Sequence, residues 1–387
     1  MVDVAVVGVG QTKFGELWGS SLRQLGVEAF NGALSDAGIG REAIQALYVG
    51  SMASGYMTAQ EHLAALFADH CGITPKHAVR CEAACASGGV ALRQAWLAIK
   101  SGVYDVVAVL GVEKMTDVGA STAMRGLMAA GDAEWEGSIG LTFAGLYALM
   151  ARAHMHAFGT TREQMALVSV NNHRNAVKNP YAQFRNEITL QDVLNANIVA
   201  DPLGLLDCSP LSDGAACVIL ASESAAKRFE QPVWVIGSSQ GSASLALAER
   251  TSLVEMPATR AAVAEVWKQT GLDTKDIDVL EVHDCFSINE IIALEDLGFC
   301  PKGQGGLFVE RGCIGLGGDI PTNTSGGLKA IGHPVGASGV RQVIDVVRQI
   351  RGCAPNQVGG ASTGLCLNIG GVGGTAVVHI LSSERHP

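Results

Sequence analysis

Gly332-His333-Pro334-Val335-Gly336-Ala337-Ser338-Gly339-Val340-Arg341-Gln342 has an earlier counterpart in Cys85-Ala86-Ser87-Gly88-Gly89-Val90-Ala91-Leu92-Arg93-Gln94. The two stretches lie about 250 residues apart; both contain Ala-Ser-Gly, open an apolar helix and run on into Arg-Gln. The earlier copy carries a cysteine just ahead of the shared core, and the later copy carries a histidine. A duplicated fold that brings these helix starts together pairs a thiol with an imidazole, the combination that activates a sulfur nucleophile.

Outward from the first copy the chain reads strand, helix, strand, turn, helix, strand. Val4–Val9 is a β-branched run, and Leu22, Leu25, Ala29, Phe30, Ala33 and Leu34 recur at helical spacing until Ala37-Gly38. Leu47–Gly50 predicts a second strand, Gly88–Lys100 a helix apolar almost all round, and Asp105–Leu110 a buried strand. Around the second copy the same order returns in Val233–Ile236, in Ala261–Thr270 before Gly271-Leu272, and in Ile277–Val282. Gly371–Leu381 supplies a last strand. The pattern predicts an α/β protein of two similar halves, residues 1–225 and 230–387, with the turn Ala225–Pro232 between them. Residues 116–200 lack the alternation and read as a loop insertion carrying substrate or subunit contacts, with one helix-like stretch, Leu146–Phe158.

Of the 387 residues, 48% are hydrophobic and only 17% charged, enough for large cores. A net charge of −10 argues against nonspecific binding to nucleic acid or an anionic membrane. No apolar run approaches the ~20 residues of a membrane helix. The N-terminus reads as a first strand, and Ser383-Glu384-Arg385-His386-Pro387 is not a targeting tripeptide. Ten cysteines without a CxxC pair point to reduced thiols in a cytoplasmic protein without a zinc ribbon.

Cys85 stands where a turn enters a buried helix, so the helix dipole should draw its pKa from ~8.5 toward neutrality. His333 lies between Gly332 and Pro334, ahead of the second helix start. His283-Asp284-Cys285-Phe286 follows the strand Ile277–Val282, and the C-terminal ends of such strands face the ligand crevice. His283 and Cys285 are two apart, so extended backbone would aim an imidazole and a second thiol at one place. A metal site is the rival reading, but the sequence offers no third convergent ligand. Leu365–Gly374 reads as a glycine-rich loop without a P-loop lysine, placed to bring a backbone N–H beside Cys85.

Cys85-Ala86-Ser87-Gly88-Gly89, Ser212-Asp213-Gly214-Ala215-Ala216, His283-Asp284-Cys285-Phe286 and Gly332–Gly339 occur in the order found in the thiolase superfamily. The chain resembles that family over essentially its whole length, above all its sterol-carrier-protein-type and archaeal acetoacetyl-CoA branch. The resemblance implies a five-layered αβαβα sandwich of two similar halves, with Cys85 as the acylated nucleophile and His333 as its activator. Most thiolases carry Asn-Glu-Ala-Phe where this chain has His283–Phe286, and take their acid/base cysteine from a late Cys-x-Gly. Here that late segment is Asn368-Ile369-Gly370, and the sterol-carrier-type pattern, which moves the acid/base thiol to the His283–Phe286 segment, implies Cys285 in that role, chosen over Cys366, which is two residues off the aligned position.

The resemblance further implies that His283 and His333 donate to the thioester oxygen, while the N–H groups of Cys85 and Gly370 hold the tetrahedral oxyanion. Met155, His156 and Phe184 are the candidates for substrate contact. The implied reaction is the reversible Claisen condensation of two acetyl-CoA to acetoacetyl-CoA and CoA, with coenzyme A thioesters as substrates and no cofactor or metal. The alternatives are a thiolase for longer 3-ketoacyl-CoA chains, a 3-ketoacyl synthase-like acyltransferase, and a non-catalytic acyl-CoA- or lipid-binding scaffold. Expected partners are further copies of the chain, as a homodimer or dimer of dimers. The archaeal branch adds hydroxymethylglutaryl-CoA synthase, reached through an OB-fold, zinc-ribbon protein and leading to the mevalonate pathway.

Overall fold

A computed structural model describes residues 2–385; Met1 and the tail residues His386 and Pro387 lie outside the described residues. The strands are β1 (Val4–Gln11), β2 (Ala46–Gly50), β3 (His77–Cys81), β4 (Val106–Glu113), β5 (Ile198–Ala200), β6 (Leu203–Gly204), β7 (Gly214–Ser222), β8 (Val233–Ser242), β9 (Val279–Glu281), β10 (Thr363–Gly370) and β11 (Thr375–Ser382). Apart from the small β5–β6 hairpin they form one nine-stranded sheet in the order β3-β2-β4-β7-β1-β8-β11-β10-β9. It is joined at its middle by only two residue pairs, Ala5–Trp234 and Val6–Val233.

The duplication is written in the strand senses. β2 runs parallel to β4, β4 antiparallel to β7, and β7 antiparallel to β1. In the second half β9 runs parallel to β10, β10 antiparallel to β11, and β11 antiparallel to β8. The place of β3 is marked there by a single parallel bridge, Leu280–Thr322. The helices Ser87–Lys100 and Val335–Ile350 pack on each other and on strands of both halves, while Leu22–Ala37 and Pro257–Thr270 cover the outer faces. Helix, sheet, paired helices, sheet and helix make the five layers. Strands covered on both faces read as unbroken apolar runs, as β4 does, with every residue buried.

Glycine sets how closely the central helices approach. A Cβ at Gly88 would lie 2.7 Å from the Gly336 carbonyl, and one at Gly339 would collide with the Asn368 amide. The outer helices are bounded by local chemistry. Ser21 and Gln24 form a capping box before Leu22, and Gly38 ends that helix in the left-handed region at φ 66°.

Two expectations are corrected, and the repeat proves inexact at one further place. Residues 363–370 form a strand, not a glycine-rich loop, because Leu365, Leu367 and Ile369 are buried apolar residues inside the core. The glycines that made the segment look like a loop form the turn into β11. Residues 116–200 are largely helical, with Phe143–Phe158 and Arg162–Ala176 as the longest pieces. The shared Arg-Gln pairs are not equivalent either. Arg93 is half-buried and reaches the Ser238 carbonyl, whereas Arg341 is fully buried.

Arg341 Nη1 bonds Glu281 (2.8 Å), Asp345 (2.9 Å) and Ser325 (2.9 Å), so two buried carboxylates share one guanidinium, and burial with the Asp345 charge raises Glu281 to about 7. Arg341→Ala is expected to cost about 3–5 kcal/mol, read by denaturant unfolding, because it strands both carboxylates. A loss under about 1 kcal/mol would mean that they are neutral in the folded protein. Among the described residues no helix is long and apolar enough to cross a membrane.

Candidate active site

Cys85 enters its helix through a strained turn, with Ala84 in the left-handed region at φ 53°. Ser87 fastens that turn: its hydroxyl donates to the Ala84 carbonyl (2.6 Å) and accepts from the Ala83 N–H (3.0 Å). Ser338, the corresponding residue of the second copy, has a different task. Its hydroxyl donates to the Pro334 carbonyl (3.1 Å) and lies 2.7 Å from Nδ1 of His333. A hydroxyl has one hydrogen, so His333 Nδ1–H donates to Ser338 and Nε2 carries a lone pair. The His333 backbone N–H is fixed by Ser212 Oγ at 2.9 Å.

His283 is held in the opposite tautomer. The Asn368 carbonyl oxygen accepts from Gly89 N–H (3.2 Å), which orients the amide. Its NH₂ therefore donates to the Cys85 carbonyl (3.0 Å) and to His283 Nδ1 (3.2 Å). With Nδ1 accepting, the His283 proton resides on Nε2. The two rings meet edge to face with centroids 5.0 Å apart, and both Nε2 atoms are buried without a partner. Cys85 Sγ and a ring nitrogen of each histidine lie within 4.8 Å of one another. The arrangement offers a thiol, a lone pair to deprotonate it and an N–H donor.

Cys285 lines the same cavity as Cys85 and His333. Cys366 does not reach it. On β10 it is two residues before Asn368, hence on the same face but about 7 Å down the strand, in the core. Asp284, between His283 and Cys285, accepts from the backbone N–H groups of Leu328 (2.6 Å) and Lys329 (3.1 Å). It thereby ties the His283 segment to the short helix Gly327–Ile331, which leads into His333. The glycine whose N–H reaches the Cys85 sulfur is Gly371, not the predicted Gly370. Gly370 is still paired to Thr375 in β10, while Gly371 leaves the strand at φ 61°.

The cavity holds about 190 Å³ and is walled by apolar side chains, among them Met115, Leu127, Phe143, Tyr147 and Phe286. The predicted contacts Met155, His156 and Phe184 do not line it. Met155 lies eight residues beyond Tyr147 on one helix, about 12 Å along its axis, and packs into the core; His156 is exposed. Phe184 stacks on His173 with Lys329 over its face. Asn368 and Tyr147 were missed as site residues, since neither belongs to a chemical motif by itself, and Ser338 was read only as part of the repeated Ala-Ser-Gly.

Burial dominates the electrostatics. It pushes the Cys85 thiol up to about 12, with the Glu113 carboxylate adding to the rise, against the lowering N–H groups of Gly371 and Cys85 itself. The expected pKa near neutrality is thus overturned, because desolvation of a thiolate outweighs the helix terminus. Burial also draws His333 down to about 3 and His283 well below the usual imidazole range. The resting pair is thiol and neutral imidazole, with the proton moving as the sulfur attacks. Thiolate absorbance lost on Cys85→Ala is therefore expected only above the ordinary thiol range, ~8.5. A Cys85 thiolate present at neutral pH would mean a preformed ion pair.

Cys85, His283 and His333 are residue types that zinc takes, but His283 Nε2 carries a proton, so only the thiol and His333 Nε2 offer a lone pair and the set falls short of a metal site.

The comparisons agree with this geometry. The family description "Thiolase, N-terminal domain" matches residues 4–224, and "Thiolase C-terminal domain-like" matches residues 239–383. The chain is 53% identical over 384 residues to an acetyl-CoA acetyltransferase of Methanothermobacter thermautotrophicus, covering 99% of this chain and 100% of the relative. It is 46% identical over 394 residues to an acetyl-CoA acetyltransferase of Methanocaldococcus jannaschii, covering 100% of both. Among solved structures it is similar to an Ltp2-ChsH2(DUF35) aldolase, with a TM-score of 0.86, 28% identity, and coverage of 99% of this chain and 98% of the other. With both halves matched and near-complete relatives at this identity, the chain belongs to the thiolase family.

Proposed function

We propose that the protein is an acetyl-CoA C-acetyltransferase that joins two acetyl-CoA to acetoacetyl-CoA and CoA through an acyl group on Cys85. The observation that carries this is the meeting of the Cys85 thiol with two imidazoles of opposite tautomer beside an apolar cavity. Cys85 Sγ attacks the first thioester while His333 Nε2 takes its proton. The N–H groups of Cys85 and Gly371 hold the tetrahedral oxyanion, each such donor being worth ~10²–10³ in rate. Cys285 protonates the departing CoA sulfur and is left as a thiolate.

Cys285 then removes an α-proton from the second acetyl-CoA. The enolate oxygen accepts from His283 Nε2–H and from His333, which now holds the Cys85 proton. The α-carbon attacks the acyl group, Cys85 departs, and His333 returns its proton. Thiolysis is this path reversed.

Acetyl-CoA formation from acetoacetyl-CoA and CoA tests the reading, with Cys85→Ala as control. Turnover that the substitution removes is expected; equal rates in both proteins would refute it. The cavity's apolar wall favours one further arm, the same assay with 3-ketohexanoyl-CoA. Faster turnover of that substrate would shift the assignment to a longer-chain 3-ketoacyl-CoA thiolase.

We also propose a cytoplasmic homo-oligomer coupled, through an OB-fold, zinc-ribbon partner, to hydroxymethylglutaryl-CoA synthase and the mevalonate pathway. Condensation of two acetyl-CoA is uphill, and a consuming partner draws it forward. Trp135 and Ile139, 70% and 74% exposed in the inserted segment, are an apolar surface that suits a partner.

A further inference from the structure

Between release of CoA and removal of the α-proton, the mechanism above leaves a negative sulfur on Cys285, in a site whose burial opposes it. That sulfur needs a donor that is absent while it is a neutral thiol. Tyr147 has the required properties. It is 1% exposed and lines the cavity with Cys85 and Cys285. Its ring stacks on Phe286, the neighbour of Cys285, at 4.6 Å and 27°. Its hydroxyl donates to the Gly371 carbonyl at 3.1 Å, and the Cys285 sulfur is near enough for the phenol to favour its thiolate.

We infer that Tyr147 is a positioning residue for the acid/base thiol, its single hydroxyl hydrogen alternating between the Gly371 carbonyl and the Cys285 sulfur. When Cys285 is a thiol, S–H donates to the phenol oxygen and O–H is free to bond Gly371. When Cys285 is a thiolate, O–H turns to the sulfur. No bond to hydrogen breaks at Tyr147, so the phenol is a donor throughout; burial and the neighbouring Cys285 and Cys85 sulfurs hold its pKa well above 10, with Arg250 opposing. The other groups facing Cys285 do not replace it. Cys85 and Asp284 disfavour negative charge on the sulfur. The Asn289 amide is 3.7 Å from it and is committed to the His283 carbonyl. The Phe286 N–H favours the thiolate but belongs to fixed backbone and cannot switch.

The inference rests on the assignment of Cys285 as the acid/base, so the test separates the two. Deuterium wash-in at the acetyl-CoA α-carbon reads proton removal. Single-turnover acylation of Cys85 by an activated acetyl ester, whose leaving group needs no proton, reads the nucleophile alone. Tyr147→Phe keeps the ring and its stacking on Phe286. It is expected to slow wash-in about 10- to 100-fold and to move its pH profile to higher pH, the loss of a hydrogen bond to a charged group. Acylation should stay within about threefold, since removal of the hydroxyl leaves the nucleophile's own donors in place.

Wash-in and its pH profile unchanged in Tyr147→Phe, with wash-in abolished in Cys285→Ala, would overturn the role of Tyr147 and leave the Cys285 assignment standing. Equal loss in wash-in and acylation with no change of profile would also overturn it, because the hydroxyl would then act only by holding Gly371. Wash-in that survives Cys285→Ala would remove the assignment on which the inference rests, and the inference with it.

Discussion

Cys285→Ala is expected to lower condensation of acetyl-CoA by about 10³–10⁴-fold, near the upper end for loss of a positioned acid/base. Acylation of Cys85 by an activated ester should change little, because Cys85, His333 and Gly371 N–H remain in place. Cys366→Ala provides the contrast. Its sulfur is fully buried in the core, away from the cavity, so its removal should cost about 1 kcal/mol of stability and leave turnover within about threefold. Two buried cysteines of one chain would thus divide between chemistry and packing. Steady-state thiolysis rates and melting curves of the two variants decide the matter. A large loss of turnover in Cys366→Ala with little in Cys285→Ala would exchange the roles.

Asn368→Asp is the second large effect. The side chain keeps its size but loses the NH₂ that fixes His283. One carboxylate oxygen can still accept from Gly89 N–H. The other faces the Cys85 carbonyl, which it repels, and His283 Nδ1, which must now carry the proton. His283 Nε2 then changes from donor to acceptor, and the enolate loses one of its two imidazole donors. A fall of ~10²–10³ in deuterium wash-in is expected, the usual worth of a single oxyanion donor. An accompanying loss of stability follows from placing a charge where the native side chain is 1% exposed. The discriminating readout is ¹⁵N spectroscopy of the histidine rings: the native protein should show His283 protonated at Nε2, and Asn368→Asp at Nδ1. Unchanged wash-in with an unchanged tautomer would mean that the amide is only packing.

Much of this fold was legible because duplication repeats its punctuation. Gly38 and Gly271 end matching outer helices, and Ser87 and Ser338 mark matching central ones. The motif residues Cys85, His283, Cys285 and His333 were legible because each stands at a strand or helix end, where side chains meet the crevice. Asn368 was hidden because its segment carries several glycines, which signal a loop unless the alternating Leu365, Leu367 and Ile369 are seen to be core. Tyr147 was hidden by distance: nothing local tells a tyrosine on a mostly apolar helix that Cys285 and Gly371 will lie against its hydroxyl. The distance of Met155 from this cavity was hidden for a related reason, since the helix was read without knowing which turn faces the cavity. The pKa of Cys85 failed because a helix terminus is visible in a sequence, whereas the depth of burial around it is not.

The most direct test of the central claim is to mix the protein with acetoacetyl-CoA, quench it with acid and map the acyl adduct by peptide mass spectrometry. An acetyl group on Cys85, lost when free CoA is added before the quench and absent in Cys85→Ala, is the predicted result. An acetyl group on Cys285 or Cys366 with Cys85 unmodified, or full turnover without any acyl-cysteine, would contradict it.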